Sequence, residues 1–189
     1  MTPRRRLDEA FEATPRAGFL PRSERRFAKV DRALPIGWAQ TNSQPTTVRN
    51  MLALLDVRPG DRVLDVGSGS GWSTALLAHL VGPDGTVLGV EIVPQLVDLG
   101  RANLARSGRA NASIRPAVEH VLGLPEEAPF DRILVSAGAG TMPEQLTGQL
   151  AEDGVLVVPV GGVMHEVRRT ADGLRDRTHG HYSFVPLVT

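Results

Sequence analysis

The chain of 189 residues carries 21 Lys and Arg residues against 21 Asp and Glu residues, so its formal net charge at pH 7 is zero. Without a net field, only a local site could recognise nucleic acid or an anionic membrane, and we predict neither as a partner. The absence of cysteine excludes disulfides, thiolate metal sites and cysteine nucleophiles.

A chain of this length is predicted to fold around one core. The first twenty residues become polar and charged before any long apolar run develops, so no signal peptide is predicted, and no later segment has the length and hydropathy of a membrane span. We therefore expect an unprocessed cytoplasmic protein, acting as a monomer.

Residues 1–45 are predicted to form an N-terminal helical segment. A short amphipathic helix runs from Arg5 to Ala13 and ends before Pro15. A basic cluster follows, of the kind that usually covers a solvated helix face. The segment ends with the sequence PIGWAQTNSQP at residues 35–45, which has neither helical nor strand periodicity and predicts a polar loop.

From residue 46 the hydrophobic period alternates between helix and strand. This alternation, with Val, Leu and Ile dominating the strands, predicts a doubly wound α/β fold whose mostly parallel sheet is covered on both faces. We assign residues 46–189 to this unit and expect it to form one compact domain with the N-terminal segment. The predicted strands are 62–66, 86–91, 112–116, 132–135 and 155–160, and the predicted helices begin near Thr46 and span 72–80, 95–106 and 143–150.

The last 29 residues contain no further long helix pattern. The turn residues Ala-Asp-Gly separate residues 163–169 from residues 174–178 and predict an antiparallel hairpin. The sequence HYSFVPLV at residues 181–188 predicts a final strand.

Gly67, Gly69 and Gly71 follow the first strand of this unit in the sequence VLDVGSGSGW. Glycines between a strand and a helix let the backbone turn sharply, so that a ligand can approach the amides at the helix N-terminus. The third position of the dinucleotide fingerprint is Trp72 rather than glycine, which disfavours NAD or FAD. No lysine follows in the phosphate-loop pattern.

Glu91 ends the next predicted strand. An acidic side chain at this place in a doubly wound sheet hydrogen-bonds the ribose hydroxyls of a nucleotide. Alone, Glu91 would be interpreted as a surface glutamate at a strand end. With the glycine-rich loop it favours a nucleoside-containing ligand.

The loop and Glu91 together resemble the class I S-adenosylmethionine-dependent methyltransferases. Within that superfamily the chain resembles the protein-L-isoaspartate (D-aspartate) O-methyltransferases from about Leu7 to Leu187. The motifs that carry the resemblance are, in order, ATPRAGFLP, LPIGWAQTNSQP, VRPGDRVLDVGSGSGWSTALLA, LPEEAPFDRILV, PEQL, GVLVVPVG and FVPLV.

The resemblance implies a seven-stranded sheet that ends in an antiparallel hairpin, with S-adenosyl-L-methionine as the methyl donor and S-adenosyl-L-homocysteine as the product. The implied reaction is methylation of the abnormal carboxylate of an L-isoaspartyl residue in a damaged protein or peptide. The resulting ester collapses to a succinimide, whose hydrolysis returns some normal aspartate.

The resemblance also implies the site residues, all named by their number in this chain. Ser43 is the catalytic residue, and no metal is implied. The implied substrate-binding residues are Ile36, Gln40, Thr41 and Asn42. The implied cofactor-binding residues are Thr41, Asp65, Gly67, Ser68, Gly69, Gly71, Glu91, Ile92 and Glu119. Ser43 could instead cap the helix that starts near Pro45.

The chemistry explains why no catalytic histidine or paired carboxylates are evident. A carboxylate nucleophile is already ionised at neutral pH, so transfer of a methyl group from a sulfonium needs no strong general base. The protein must align the two reactants in a dry, polar site. A serine hydroxyl can position a carboxylate oxygen without neutralising it.

The sequence departs from the family pattern at several places. On the substrate side, Ala137-Gly138-Ala139-Gly140 lacks the usual proline, and VMHEVRR with a short tail follows PVGG where the family has a glutamine. Asn42 replaces the usual isoleucine, and Val118-Glu119-His120 replace Gly-Asp-Gly, whose aspartate lies close to the adenine. These departures leave open a relative that methylates aspartyl side chains of a dedicated peptide, or a cofactor-binding protein without catalysis.

Two further alternatives are disfavoured. Methylation of nucleic-acid bases usually requires an Asn/Asp-Pro-Pro-aromatic motif where this chain has SAGAG. His179 and His181 would share one face of a strand, but without convergent carboxylates we assign no metal to them.

Overall fold

The computed structural model describes residues 2–188. In chain order, its helices and strands are α1 (Pro3–Ala13), β1 (Leu34–Gly37), β2 (Gln40–Asn42), α2 (Pro45–Leu55), β3 (Arg62–Val66), α3 (Trp72–Val81), β4 (Thr86–Glu91), α4 (Pro94–Arg106), β5 (Ala112–Pro116), β6 (Phe130–Val135), α5 (Glu144–Thr147), β7 (Leu150–Val160), β8 (Val163–Thr170) and β9 (Gly173–His181). Short 3-10 turns lie at Arg16–Phe19, Arg25–Phe27 and Pro125–Glu127.

Seven strands form one sheet in the order β5-β4-β3-β6-β7-β8-β9. The first five are parallel, whereas β8 runs antiparallel to β7 and β9 antiparallel to β8. The predicted doubly wound sheet with its C-terminal antiparallel hairpin is confirmed. Because the winding direction reverses between β3 and β6, a crevice opens at the carboxyl ends of these two strands, where such sheets bind ligands.

The two faces of the sheet are covered unequally. Helices α1 to α4 pack on one face, against a buried cluster that includes Val63, Val87 and Val155. The other face is covered by the single-turn helix α5 and by the chain between β5 and β6, which contribute Leu146 and Leu124. The face with the long helices therefore supplies most of the scaffold beneath the glycine-rich loop.

The N-terminal segment shares the core of the sheet. Leu7, Ala10 and Phe19 belong to the same apolar cluster as α2 and α3. The Trp72 indole, 3% exposed, donates its N–H to the Thr14 carbonyl at 3.0 Å, so it ties α3 to the chain after α1. Within residues 2–188, no helix is both long enough and apolar enough to cross a membrane.

Three predicted elements are wrong in extent or type. The predicted helix over 143–150 spans only Glu144–Thr147, because Leu150 already pairs with Phe130 in the sheet. The predicted loop at 35–45 contains a hairpin, β1 and β2, whose turn places Gly37, Trp38 and Ala39 at positive φ. The sequence lacks the Asn-Gly or Asp-Gly pair that marks such turns.

The predicted final strand at 181–188 is also absent as a member of the sheet. β9 ends at His181, and the chain then leaves the sheet edge. It returns beside Gly138, whose N–H donates to the Val185 carbonyl and whose carbonyl accepts from the Leu187 N–H, each at 2.8 Å. This tail, residues 182–188, therefore lies against the loop that follows β6.

Candidate active site

The carboxyl ends of three adjacent strands border a cleft of about 710 Å³ that opens to solvent. Gly67 follows β3, Glu91 ends β4 and Ser136 follows β6, and all three residues line it. We call this the strand-end cleft.

The glycine-rich loop is fixed by its own backbone and by close packing. The N–H groups of Gly67 and Ser68 both donate to the Val90 carbonyl, at 2.9 and 3.1 Å. Gly71 has a φ of +84°, and a Cβ added there would lie 3.0 Å from the Gly100 carbonyl oxygen of α4. The loop therefore requires glycine at position 71 for both backbone conformation and space.

Glu91 lines the strand-end cleft, and backbone hydrogen bonds hold its side chain in place. Its side chain is 6% exposed, and its two oxygens accept the backbone N–H groups of Gly69 and Val93, at 2.8 and 2.9 Å. Each carboxylate oxygen retains a free lone pair. Glu91 can thus accept hydrogen bonds from a ligand diol, and the predicted neighbour Ile92 lines the same cleft.

Asp65 was predicted to bind the cofactor, but it is fully buried. It lines neither the strand-end cleft nor the two neighbouring cavities that are described below. Its Oδ2 accepts the hydroxyls of Ser73 and Thr74, at 2.8 and 2.7 Å. Burial raises the pKa of this carboxyl to about 6, and the nearby Glu91 adds to the effect. Asp65 therefore anchors the start of α3 beneath the loop.

Ser68 does line a cavity, the smaller one of about 340 Å³ between the loop and the starts of α2 and α3. We call this the loop cavity. The Ser68 side chain is 3% exposed, and its hydroxyl has no hydrogen-bond partner among residues 2–188. A buried hydroxyl without a partner is costly, so it is available to a polar group of a bound ligand.

Arg16 joins the N-terminal segment to the hairpin that carries the predicted catalytic residue. Its buried guanidinium donates to the Asn42 side chain at 2.6 Å and to the Ser43 carbonyl at 2.9 Å. It also donates to the carbonyls of Val30, Arg32 and Asn42. Burial lowers the pKa of Arg16 to about 10, while Asp31 opposes that shift, so the group stays charged at neutral pH.

Asn42 was predicted to bind substrate, but its amide is already engaged inside the protein. The residue is 5% exposed. Its carbonyl oxygen accepts from Arg16, and its amide nitrogen donates to the Ser70 hydroxyl at 3.1 Å. The amide therefore links the hairpin to the glycine-rich loop, and the residue lines the loop cavity but not the third cavity, described below, that Ser43 and Gln44 line.

Ser43 does not cap helix α2. The N-cap is Gln44, which makes no capping bond with its side chain, and the Thr46 N–H donates to Asp31 at 2.9 Å. Hydrogen bonds from Gln44 and Thr46 lower the pKa of Asp31. Because Asp31 does the capping and Arg16 binds the Ser43 carbonyl, the Ser43 hydroxyl is left without a structural task.

A third cavity, of about 740 Å³ and open to solvent, lies between the hairpin, the start of α2 and the tail. We call it the side cavity, and Ser43, Gln44 and Phe184 are among the residues that line it. Ser43 also lines the loop cavity, and Thr41 lines all three cavities. The structure thus brings Thr41 and Ser43 to the junction where the cavities meet.

Ile36 and Gln40, predicted to bind substrate, line the strand-end cleft and not the side cavity. Ile36 is buried and lies close to the loop, since its Cδ1 would be 3.4 Å from a Cβ added to Gly69. These two side chains are therefore placed to contact the ligand of the strand-end cleft.

Glu119, predicted to contact adenine, lies outside the cleft. Its side chain is 81% exposed, and Ala117, Val118, Val121 and Leu122 line the cleft in its place. Within this segment His120 adopts a positive φ of 63°. The tail closes the cleft from the other side with Val185, Pro186, Leu187 and Val188.

These features fit S-adenosylmethionine. The apolar end of the strand-end cleft suits an adenine base, and the lone pairs of Glu91 suit a ribose diol. The loop cavity provides the unpartnered Ser68 hydroxyl for the polar methionine end. Among residues 2–188, no group of three or more His, Asp or Glu side chains is arranged to hold a metal ion, and His179 pairs with Glu166 at 2.9 Å.

Three residues of the site region were missed by the assignment from sequence. Arg16 stands in the recognised motif ATPRAGFLP, but burial of a charged residue so near the N-terminus has no periodic signal. Asp31 caps α2 from fourteen residues before Pro45, beyond the spacing of a capping box. Ser136 follows β6 directly, and its place at a strand's carboxyl end was the available signal.

Residues 2–189 match the family model "Protein-L-isoaspartate(D-aspartate) O-methyltransferase (PCMT)". The chain is 47% identical to a protein-L-isoaspartate O-methyltransferase of Methanopyrus kandleri, over 97% of this chain and 83% of the relative. It is 46% identical to the enzyme of that name from Anaeromyxobacter dehalogenans, over 97% and 90% of the two chains.

A solved structure with the same architecture is a Plasmodium falciparum protein described as a putative protein-L-isoaspartate O-methyltransferase in complex with S-adenosyl-L-homocysteine. The TM-score is 0.85 at 27% sequence identity, and the match covers 96% of this chain and 89% of that one. The similarity therefore includes the N-terminal segment and the hairpin as well as the sheet.

Proposed function

The chain belongs to the protein-L-isoaspartate(D-aspartate) O-methyltransferase family, and we propose that it transfers the methyl group of S-adenosyl-L-methionine to the carboxylate of L-isoaspartyl residues in damaged proteins and peptides. One observation carries the proposal for the site. The Ser43 hydroxyl, free of any capping role, lies where the side cavity meets the loop cavity.

S-adenosylmethionine, when bound, supplies a methyl group on a positively charged sulfur. The protein's own contribution is to place a carboxylate in line with that methyl group and to exclude water. Ser43 donates a hydrogen bond to the carboxylate from the hairpin side, and Thr41 lines the passage between the cavities. No side chain has to take up a proton, since an isoaspartyl carboxylate is ionised at neutral pH.

Rigidity of the hairpin is what makes this alignment useful. Arg16 fixes the Ser43 carbonyl, Asp31 fixes the start of α2, and Asn42 ties β2 to the glycine-rich loop. The hydroxyl and the cofactor-binding loop are therefore held as one unit. Small displacements of aligned groups cost large factors in rate, so we expect this unit to be as important as Ser43 itself.

The position of Asn42 also bears on substrate class. Asn42 is 5% exposed and is bound by Arg16 and Ser70, so the departure at this position acts on how the hairpin is held against the glycine-rich loop. Ser43 and Glu91 both keep free hydrogen-bonding capacity at the cavities, which favours catalysis over a purely regulatory cofactor-binding role. The 47% and 46% identities to proteins named protein-L-isoaspartate O-methyltransferase, each over 97% of this chain, favour repair of isoaspartyl residues over modification of a dedicated peptide.

The experiment that tests the proposal compares two synthetic peptides that differ only in L-isoaspartate or L-aspartate at one position. With S-adenosylmethionine, we expect methyl ester on the isoaspartyl peptide and little on the other. The Ser43→Ala variant should lose about 10-fold to 100-fold in kcat/KM, the effect of one hydrogen bond to a charged group. Equal esterification of both peptides, or of neither, would contradict the proposal.

A further inference from the structure

One residue besides Thr41 lines all three cavities, and that residue is Ser136. It follows β6 at the point where the winding direction of the sheet reverses. Thr41 and Ser43 approach the junction from the hairpin, whereas Ser136 approaches it from the sheet. The junction is therefore bordered by side chains with hydroxyl groups from both the hairpin and the sheet.

The backbone around Ser136 is firmly held. Its N–H donates to the Val66 carbonyl at 2.9 Å, which continues the pairing of β6 with β3. Next in the chain, the Gly138 N–H donates to Val185, and the Ala139 N–H donates to Pro159, both at 2.8 Å. Ser136 thus has the fixed placement expected of a group that must present a hydrogen bond at a set position.

Packing does not explain a hydroxyl at this position. The following residues are Ala137, Gly138 and Ala139, so the turn after β6 accepts small apolar side chains. Ser136 joins the hydrogen-bond network of residues 2–188 through its backbone and not through its hydroxyl. A half-buried hydroxyl that faces the cavities and has no internal partner is available to a ligand.

We propose that Ser136 contacts the substrate, and that its hydroxyl donates a hydrogen bond to the isoaspartyl carboxylate from the end of the sheet, while Ser43 donates from the hairpin. This inference rests on the proposed function. In the reaction, a lone pair of one carboxylate oxygen forms the new O–CH3 bond, the C–S bond of the sulfonium breaks, and its electron pair stays on sulfur. No proton moves, so Ser136 has only to donate.

Two hydroxyls suit a carboxylate better than one. Ser136 holds the oxygen that does not attack, and Ser43 then fixes the plane of the group, so that the attacking oxygen points at the methyl carbon. Neutral hydroxyls achieve this without the charge neutralisation that a lysine would bring. Ser136 therefore acts on orientation, and its loss should lower turnover more than cofactor binding.

The test measures kcat and KM for an isoaspartyl peptide, and calorimetric affinity for S-adenosylhomocysteine, in Ser136→Ala and Ser136→Thr. The matched control is Ser113→Ala, an exposed serine on β5 in the same sheet. We expect Ser136→Ala to lose about 10-fold to 100-fold in kcat/KM while its affinity for S-adenosylhomocysteine stays within about two-fold of wild type. Ser136→Thr should recover most of the activity, and Ser113→Ala should match the wild type.

Three outcomes would overturn the inference alone. They are wild-type kcat/KM in Ser136→Ala, a loss that parallels a loss of S-adenosylhomocysteine affinity, and failure of Ser136→Thr to recover activity. If the wild type does not esterify the isoaspartyl peptide, the proposed function falls, and this inference falls with it.

Discussion

The strand-end cleft has two walls that are built in different ways. The loop wall consists of the glycine-rich loop and the hairpin, which are joined through buried polar groups of Arg16, Asn42 and Ser70. The base wall consists of residues 117–123 and the tail, where apolar side chains face the cleft and the charged Glu119 faces solvent.

This difference indicates that the loop wall has a more fixed geometry than the base wall. Buried polar groups are stable only when each finds a partner, so the loop wall has essentially one permitted arrangement. Apolar contacts are less directional, and the base wall can be rebuilt with different side chains. We expect substitutions in the loop wall to be costly and substitutions in the base wall to be tolerated.

The largest effect is expected for Arg16→Ala. It removes the donors to the Asn42 side chain and to the carbonyls of Val30, Arg32, Asn42 and Ser43, and it leaves buried acceptors without partners. The free energy of unfolding should fall by about 4 kcal/mol, measured by urea denaturation.

Arg16→Lys is the matched variant for that experiment. It keeps the charge but loses the planar fork of donors, so it should recover only part of the lost stability. A fall of less than about 1 kcal/mol in Arg16→Ala would mean that the hairpin is held by other contacts and that the contrast between the walls is wrong.

Asp65 should give the loop wall a characteristic pH dependence. Its pKa is raised to about 6 in the folded protein from a reference value of 3.8. The folded state therefore binds a proton that the unfolded state has released, and stability falls as pH rises from about 4 to about 6. Asp65→Asn lacks this loss, so its stability relative to wild type should rise by up to about 3 kcal/mol across that window.

Urea denaturation of both proteins at a series of pH values measures that difference, and all other titrating groups are common to the two chains. A stability difference that stays constant between pH 4 and pH 7 would show that Asp65 is not held as the loop-wall account requires.

Gly71→Ala tests crowding in the loop wall separately from backbone strain. Gly60→Ala is the matched control, because Gly60 has nearly the same φ, +87°, with nothing within 4 Å of an added Cβ. Gly71→Ala should cost about 2 kcal/mol more than its control, since its Cβ would meet the Gly100 carbonyl and Ile114. Equal melting temperatures for the two variants would contradict the close packing of loop and helix.

The smallest effect is expected for Glu119→Ala in the base wall. The side chain is exposed, so stability should change by less than about 0.5 kcal/mol, and affinity for S-adenosylhomocysteine by less than about two-fold. Val121→Asp, which places a charge on the half-buried apolar lining, should weaken binding by about 10-fold in calorimetry. A strong loss of affinity for S-adenosylhomocysteine in Glu119→Ala would instead support the predicted adenine contact.

Sequence predicted the glycine-rich loop and the sheet well because both depend on local rules. Strands β3, β4 and β5 have the predicted bounds, because apolar strands flanked by turn residues can be recognised from the order of residues along the chain. The glycine-rich loop and Glu91 were found from their spacing along the chain. The same rules could not place Asn42 or Asp65, because whether a polar side chain faces a cavity or the core depends on partners distant in sequence, such as Arg16.

The base wall was harder to predict from sequence, because its arrangement depends on turn geometry and on contacts between distant segments. Glu119 was assigned from its alignment with a family aspartate, but the positive φ of His120 and the direction of the turn put the carboxylate outside. The tail was predicted as a strand from its apolar residues. The tail pairs with the loop around Gly138 and not with a neighbouring strand. No local sequence pattern predicts that pairing.

The central claim is that the hairpin presents the Ser43 hydroxyl to a substrate carboxylate where the side cavity meets the loop cavity. The most direct measurement is the distance from that carboxylate to Ser43 Oγ in a crystal structure with S-adenosylhomocysteine and an isoaspartyl peptide. We predict a carboxylate oxygen within hydrogen-bonding distance, about 2.5 to 3.0 Å, of Ser43 Oγ. A carboxylate bound elsewhere, with the Ser43 hydroxyl facing only solvent, would contradict the account.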